Sequence, residues 1–203
     1  MTDLRQQRRS RISTRVLLIC QAFGALGALI LAGVAPFTSL TAVVSPPLYA
    51  LLAGMHSVLP FLARRVLRWP FAATTVSFSV GLLGGAFTPV GLLIMIPLTL
   101  SGAAYDLVLV IGERGGAQRA GAHRVESRAM HPVAAAASAV VLFAVSLPVI
   151  SPEQLTVPIL AATLVGRLAG ELMASLLAGV LARRIERAGI LRRPAPTAGR
   201  PPG

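Results

Sequence analysis

Lysine and asparagine are absent from this sequence, and acids are scarce: seven, against nineteen arginines, in 203 residues. Charged residues make up only 13% of the chain, where a water-soluble domain carries about a quarter. That leaves too little polar surface to clothe a domain in water. The lone cysteine, Cys20, sits inside an apolar run, so a disulfide scaffold is excluded. No phosphate loop of the Walker type occurs, so the chain is not expected to hydrolyse ATP itself. Neither H-E-x-x-H nor G-x-S-x-G is present, which argues against metalloprotease and serine-hydrolase chemistry. The acids are too few for a carboxylate-based metal site or a dense proton relay. His56, His123 and His131 have no second ligand set beside them at zinc spacing. No enzyme activity, metal or cofactor is expected.

What the sequence has is apolar length. Hydrophobic residues make up 55% of it and the mean hydropathy is +0.75, which excludes disorder for most of the chain. Six runs approach the roughly 20 residues that cross a hydrocarbon core: Val16–Val34, Val43–Leu62, Trp69–Phe87, Pro89–Ile111, Val133–Ile150 and Val157–Leu181. None alternates as a barrel strand does. The first is too long for the core of a cleaved signal peptide, and further spans follow it. The expected fold is all-α: a polytopic membrane protein, a bundle of six transmembrane helices. A basic tail (1–15) precedes the transmembrane domain (16–191). A proline-rich tail (192–203) is expected to be disordered.

The arginines give the direction. Eighteen of them fall before span 1, between spans 2 and 3, between spans 4 and 5, or after span 6. The alternate connections carry none, and Glu153 is their only charge. The positive-inside rule makes the arginine side cytoplasmic, with both termini inside a cell membrane. Arginines spread between apolar runs fit this orientation role better than binding of nucleic acid.

The remaining arginine, Arg167, lies within span 6, four residues before Glu171 and on the same helix face. Charges at that depth must face protein or a wet cavity, because lipid exposure costs several kcal/mol. They read as a mutually neutralising structural pair, as a polar anchor in a ligand pocket, or as a coupling element at a partner interface. Asp106, late in span 4, is expected to pair with Arg64 or Arg65. His56 reads as hydrogen-bonded packing in span 2, and His131 as part of a cytoplasmic linker (112–132). Pro97 is expected to break span 4 near mid-membrane, as is tolerated where a helix lines a cavity. Tyr49, Phe87, Thr99 and Arg167 then become candidates to surround an outward-facing pocket. Small residues recur every four positions in span 6 (Ala162, Gly166, Gly170, Ala174, Ala178) and in span 1 (Gly24, Ala28, Ala32). Such ridges let a second backbone approach closely, either inside the bundle or from a separate subunit.

Several stretches resemble the substrate-binding (S) component of energy-coupling factor (ECF) vitamin transporters. One is the passage from Leu51-Leu52-Ala53-Gly54 through Leu59-Pro60 to Arg64-Arg65-Val66-Leu67-Arg68-Trp69-Pro70. Another is Arg167-Leu168-Ala169-Gly170-Glu171 followed by Leu176 to Leu181 and Arg187-Ala188-Gly189-Ile190-Leu191, similar to the last helix of the branch that handles thiamine or its hydroxymethylpyrimidine precursor. The Gly24/Ala28/Ala32 ridge is similar to the motif by which these proteins meet their transmembrane coupling subunit. Span 3 departs from the thiamine branch, offering Thr and Ser where that branch places acids.

The resemblance implies capture of a vitamin or precursor on the outer side. Delivery inward then depends on a transmembrane coupling (T) subunit and two cytoplasmic ATPases. On that reading the pocket candidates Tyr49, Phe87, Thr99 and Arg167 are expected to bind the substrate, with Glu171 holding the geometry of Arg167, and the resemblance implies partner docking by Gly24, Ala28 and Ala32. The alternatives are a small oligomeric secondary carrier or channel, and a non-transporting scaffold whose arginine face binds anionic lipid or a partner.

Overall fold

The computed structural model describes residues 14–120, 129–149 and 155–189. Residues 1–13 of the basic N-terminal tail, residues 121–128 of the linker with His123, the loop around Glu153 and the C-terminal tail lie outside the described residues. The described elements are helical: α1 (Thr14–Val44), α2 (Pro46–Gly54), α3 (Val58–Leu67), α4 (Ala72–Gly84), α5 (Met95–Ala120), α6 (Met130–Ser146) and α7 (Val157–Arg187). A 3-10 turn at Met55–Ser57 joins α2 to α3, so these two make one span. Six spans result, in sequence order. Four of them are long and apolar enough to cross a membrane; Ala72–Phe87 and Met130–Ser146 are shorter apolar helices.

Side-chain and backbone approaches give the helix directions. Gly24 and Gly84 of the parallel pair α1 and α4 meet Ser79 and Leu31. Tyr105 and Ser101 of α5 meet His131 and Ser138 of α6, in antiparallel order. Gly166 and Gly170 of α7 lie against Pro47 and Leu51 of α2, which runs parallel to it. The spans close into a ring in which α4 sits between α1 and α5, α6 beside α5, and α7 between α6 and the α2–α3 span. This arrangement gathers Arg64, Arg65 and Arg68, Arg114, and Arg183, Arg184 and Arg187 at one end of the bundle. The Arg68–Glu186 contact of 3.6 Å ties two of the helix ends there.

The interior is built from small residues: Ala73, Ala134, Ala135, Ala174 and Ala178 are all fully buried around Phe61 and Tyr105, whose rings stack at 3.8 Å. Large apolar side chains point outward instead, among them Leu18, Leu29, Phe37, Leu40, Leu93 and Leu176. A water-soluble protein rarely exposes so extensive an apolar surface. Hydrocarbon is the solvent that suits it, and close backbone packing between small residues is how helices associate there.

Four boundaries differ from the sequence reading. Span 1 does not end at Val34: α1 continues through Pro36 to Val44, and Ser45 alone separates it from α2. A proline removes one intrahelical bond but does not stop a long helix. Thr38, Ser39 and Thr41 beyond it bond back to their own helix carbonyls. Span 2 reaches Leu67 rather than Leu62, so Arg64 and Arg65 are helical. Pro97 does not interrupt span 4, because α5 begins at Met95 and places Pro97 in its first turn, where the missing N–H has no intrahelical partner to lose. The linker is shortened from both sides by α5, which runs to Ala120, and by α6, whose first turn contains His131.

Candidate functional site

The α2–α7 crossing sets the geometry of the site. A Cβ on Gly166 would lie 2.5 Å from the Pro47 carbonyl oxygen, and one on Gly170 would lie 2.5 Å from that of Leu51 and 3.2 Å from Gly54 Cα. Only glycine permits backbones this close. The contact fixes the next residues of α7, Arg167 and Glu171, against the α2–α3 span. Both are buried, Arg167 at 5% and Glu171 at 0% exposure.

Arg167 projects over Tyr49, its guanidinium carbon 5.7 Å from the ring centroid, within the range of a cation–π contact. Glu171 turns the other way. Its Oε1 accepts a hydrogen bond from Ser57 Oγ at 2.8 Å, and Ser138 of α6 lies toward the same carboxylate. Ser138 is itself 2.5 Å from Ser101 of α5, so polar side chains run from the Met55–Ser57 turn through α7 and α6 to α5. Among the described residues no ion pair within 4 Å joins Arg167 to Glu171. The same-face spacing brings them near without making them each other's direct partner.

Three polar atoms of this cluster are buried without a hydrogen-bond partner: Arg167 Nε, Glu171 Oε2 and His56 Nε2. His56 Nδ1 is engaged by the Ala53 carbonyl at 3.0 Å. Buried polar groups in native proteins are nearly always satisfied, so three orphans in one cluster set it apart from ordinary helix packing. His56 Nδ1 donates to the Ala53 carbonyl, so the set offers a donor at Arg167 and acceptors at Glu171 Oε2 and at Nε2 of the neutral His56 ring. Among the described residues no group of three or more His, Cys, Asp or Glu side chains is placed to hold a metal ion.

The other sequence candidates sit elsewhere. Phe87 is exposed in the 3-10 turn Gly85–Phe87. Thr99 donates to the Met95 carbonyl of its own helix at 2.7 Å. Of the span 1 ridge, Gly24 and Ala28 are buried, and Gly24 packs on Ser79 of α4; Ala32 is half-buried. In span 6, Gly166 and Gly170 serve the α2 crossing, while Ala162 remains exposed. Ser57, Ser101 and Ser138 join the site without having been singled out. Single serines in apolar helices carry no signature of their own, and only the three-dimensional crossing reveals them.

A second polar cluster lies at the arginine end. Arg64, 1% exposed, has its Nε 3.3 Å from Asp106 and a further contact to Glu113. Asp106 Oδ2 accepts hydrogen bonds from both the backbone N–H and the hydroxyl of Thr74, each at 2.8 Å. Thr74 is in the first turn of α4, whose own N-cap residue, Phe71, supplies no side-chain cap. Asp106 therefore caps α4 from a neighbouring helix, and the expected Asp106–Arg64 pair is formed. His131, buried beside it, is 2.8 Å from the Tyr105 hydroxyl.

No protein-family model and no curated protein matches the sequence. Among solved structures, the crystal structure of an S-component of an ECF transporter superposes with a TM-score of 0.74 over 89% of both chains, at 21% sequence identity. The chain has the S-component fold. That likeness, over nearly the full length of both molecules, agrees with the six-span all-helical architecture and with a membrane location for the apolar outer surface. In this chain's version of the S-component fold, the α2–α7 crossing holds the orphaned polar cluster, and the Arg64–Asp106 cluster holds the opposite, arginine-rich end.

Proposed function

We propose that this protein is the substrate-binding component of an ECF-type importer in a bacterial plasma membrane. It takes a vitamin or vitamin precursor from the outer side and releases it inward in complex with a transmembrane coupling subunit and two ATPase subunits. The observation that carries the reading is the buried cluster of Arg167, Glu171 and His56, with unsatisfied donor and acceptor atoms inside a fold shared with an S-component. A ligand bearing both a hydrogen-bond acceptor and a donor would complete it. Thiamine and its hydroxymethylpyrimidine precursor have that character, and the Arg167-to-Leu191 stretch resembles the branch that handles them.

In this reading Arg167 and Glu171 bind the polar edge of the ligand, and Tyr49 positions the guanidinium through its ring. Phe87 and Thr99 belong to the outer rim. The chain carries no chemistry of its own; energy comes from the partner ATPases. Gly24 and Ala28 are occupied within the bundle, so the coupling subunit would meet span 1 chiefly on its outward face, beside Ala32.

The test is uptake of labelled thiamine and of hydroxymethylpyrimidine by cells or liposomes carrying this chain, with and without coupling and ATPase subunits. Substrate retention by the chain alone, with accumulation only when the other subunits are present, is the expected result. Accumulation driven by the purified chain alone would assign it instead to the secondary carriers.

A further inference from the structure

At the arginine end of the bundle, Arg65 on α3 faces one stripe of α7 formed by Ser175, Gly179 and Arg183. Arg65 Nη2 donates to the Ser175 hydroxyl at 3.0 Å and to the Ser175 carbonyl at 3.2 Å, which fixes the guanidinium in place. Its Nη1 then lies 3.4 Å from the position a Cβ on Gly179 would occupy, and Arg183 Nη1 lies 3.7 Å from the same point. Two guanidinium groups thus converge over one glycine. Glycine at 179 leaves room for them to lie flat against the helix.

Like charges this close repel, more so beside a low-dielectric interior. An anion should sit between them, yet the nearby acids are committed elsewhere. Glu186 faces Arg68, while Asp106 and Glu113 face Arg64. Among the described residues neither Arg65 nor Arg183 has a carboxylate within 4 Å, and Arg65 Nε is buried without a hydrogen-bond partner. Trp69, half-buried beside Arg68, fits the headgroup level where tryptophan anchors a membrane protein. Arg68 in turn meets Glu186, less than one helical turn beyond Arg183 on α7.

We propose that Arg65 and Arg183, converging over Gly179, form a binding site for the phosphate group of an acidic phospholipid. Guanidinium groups match phosphate with paired, charge-assisted hydrogen bonds. The positive-inside reading puts this end at the anionic cytoplasmic leaflet, where each arginine contributes about 1 kcal/mol of attraction. The site is separate from the Arg167 cluster and does not depend on what that cluster binds.

The test is native mass spectrometry of the full-length chain titrated with phosphatidylglycerol and, separately, with phosphatidylcholine. Arg183→Gln is the principal variant, because Arg183 is exposed and holds no other helix in place. Arg65→Gln is the second, and Arg114→Gln, exposed at the same end, is the control. Phosphatidylglycerol should bind in preference to phosphatidylcholine, with Arg183→Gln weakening it about fivefold, the equivalent of one arginine's contribution, and Arg114→Gln leaving it unchanged. Equal binding of the two lipids, or an equal loss in the Arg114→Gln control, would overturn the site. Displacement of the lipid by inorganic phosphate would overturn the lipid assignment and give the site to free phosphate; an adduct that survives phosphate supports the headgroup.

Discussion

Asp106 holds three helices at once, and its removal gives a stability change that follows from the geometry. Asp106→Ala takes the carboxylate from Arg64, whose Nε is 3.3 Å away and whose side chain is 1% exposed. It also removes the two 2.8 Å bonds that satisfy the first turn of α4. Stranding a buried charge costs about 3–5 kcal/mol, and loss of a helix cap about 1 kcal/mol. Glu113 stays close to Arg64 and offsets part of the first cost, so the expected loss is about 4 kcal/mol. That is a large share of a domain's stability, typically about 5–15 kcal/mol. Asp106→Asn should cost less, because an amide oxygen still accepts from Thr74. In the double variant Arg64→Met/Asp106→Leu the loss should fall below the sum of the two single losses by more than about 1 kcal/mol, the signature of direct coupling. Stepwise unfolding in mixed micelles, followed through the single tryptophan, Trp69, measures all of these. An Asp106→Ala protein within about 1 kcal/mol of the parent, or strictly additive single losses, would refute the buried-pair argument.

Two further outcomes follow from the α2–α7 crossing. Gly170→Val must push apart backbones that leave a Cβ only 2.5 Å from the Leu51 oxygen, and overpacking of this kind costs about 1–3 kcal/mol; the same unfolding assay should show it, while Gly33→Val, where nothing lies within 4 Å, should be nearly neutral. Ser57→Ala leaves Glu171 Oε1 without its 2.8 Å donor at a cost of about 1–3 kcal/mol in the ligand-free protein. If the ligand contacts Glu171, its affinity should change in the same variant, and an unaltered affinity would separate Ser57 from the site.

The chain's architecture was legible because it rests on long-range composition. Apolar runs and eighteen one-sided arginines fix the number of spans and their alternation regardless of local detail. Helix ends were less so. Pro36 and Pro97 look alike in sequence, yet one lies inside α1 and the other in the first turn of α5. Proline is a stop only where the chain has no tertiary reason to continue. Arg167 and Glu171 stood out because charge is rare in a span, and Asp106 announced its arginine for the same reason. Ser57 and Ser138 did not, since their role depends on which helices cross. The small-residue ridges were visible but ambiguous. Spacing shows that a backbone approaches, whereas Gly24 against Ser79 and Gly170 against Leu51 show that much of the approach comes from within the same chain.

The central claim is that the buried Arg167–Glu171–His56 cluster completes its hydrogen bonding with a small molecule captured from outside. Native mass spectrometry of the gently purified protein, beside Arg167→Ala prepared in the same way, tests it most directly. A stoichiometric small-molecule adduct on the parent, absent from a folded Arg167→Ala protein, is the predicted result. An adduct that persists at the same occupancy in Arg167→Ala, or a parent that binds none of the vitamins and precursors offered, would contradict the account.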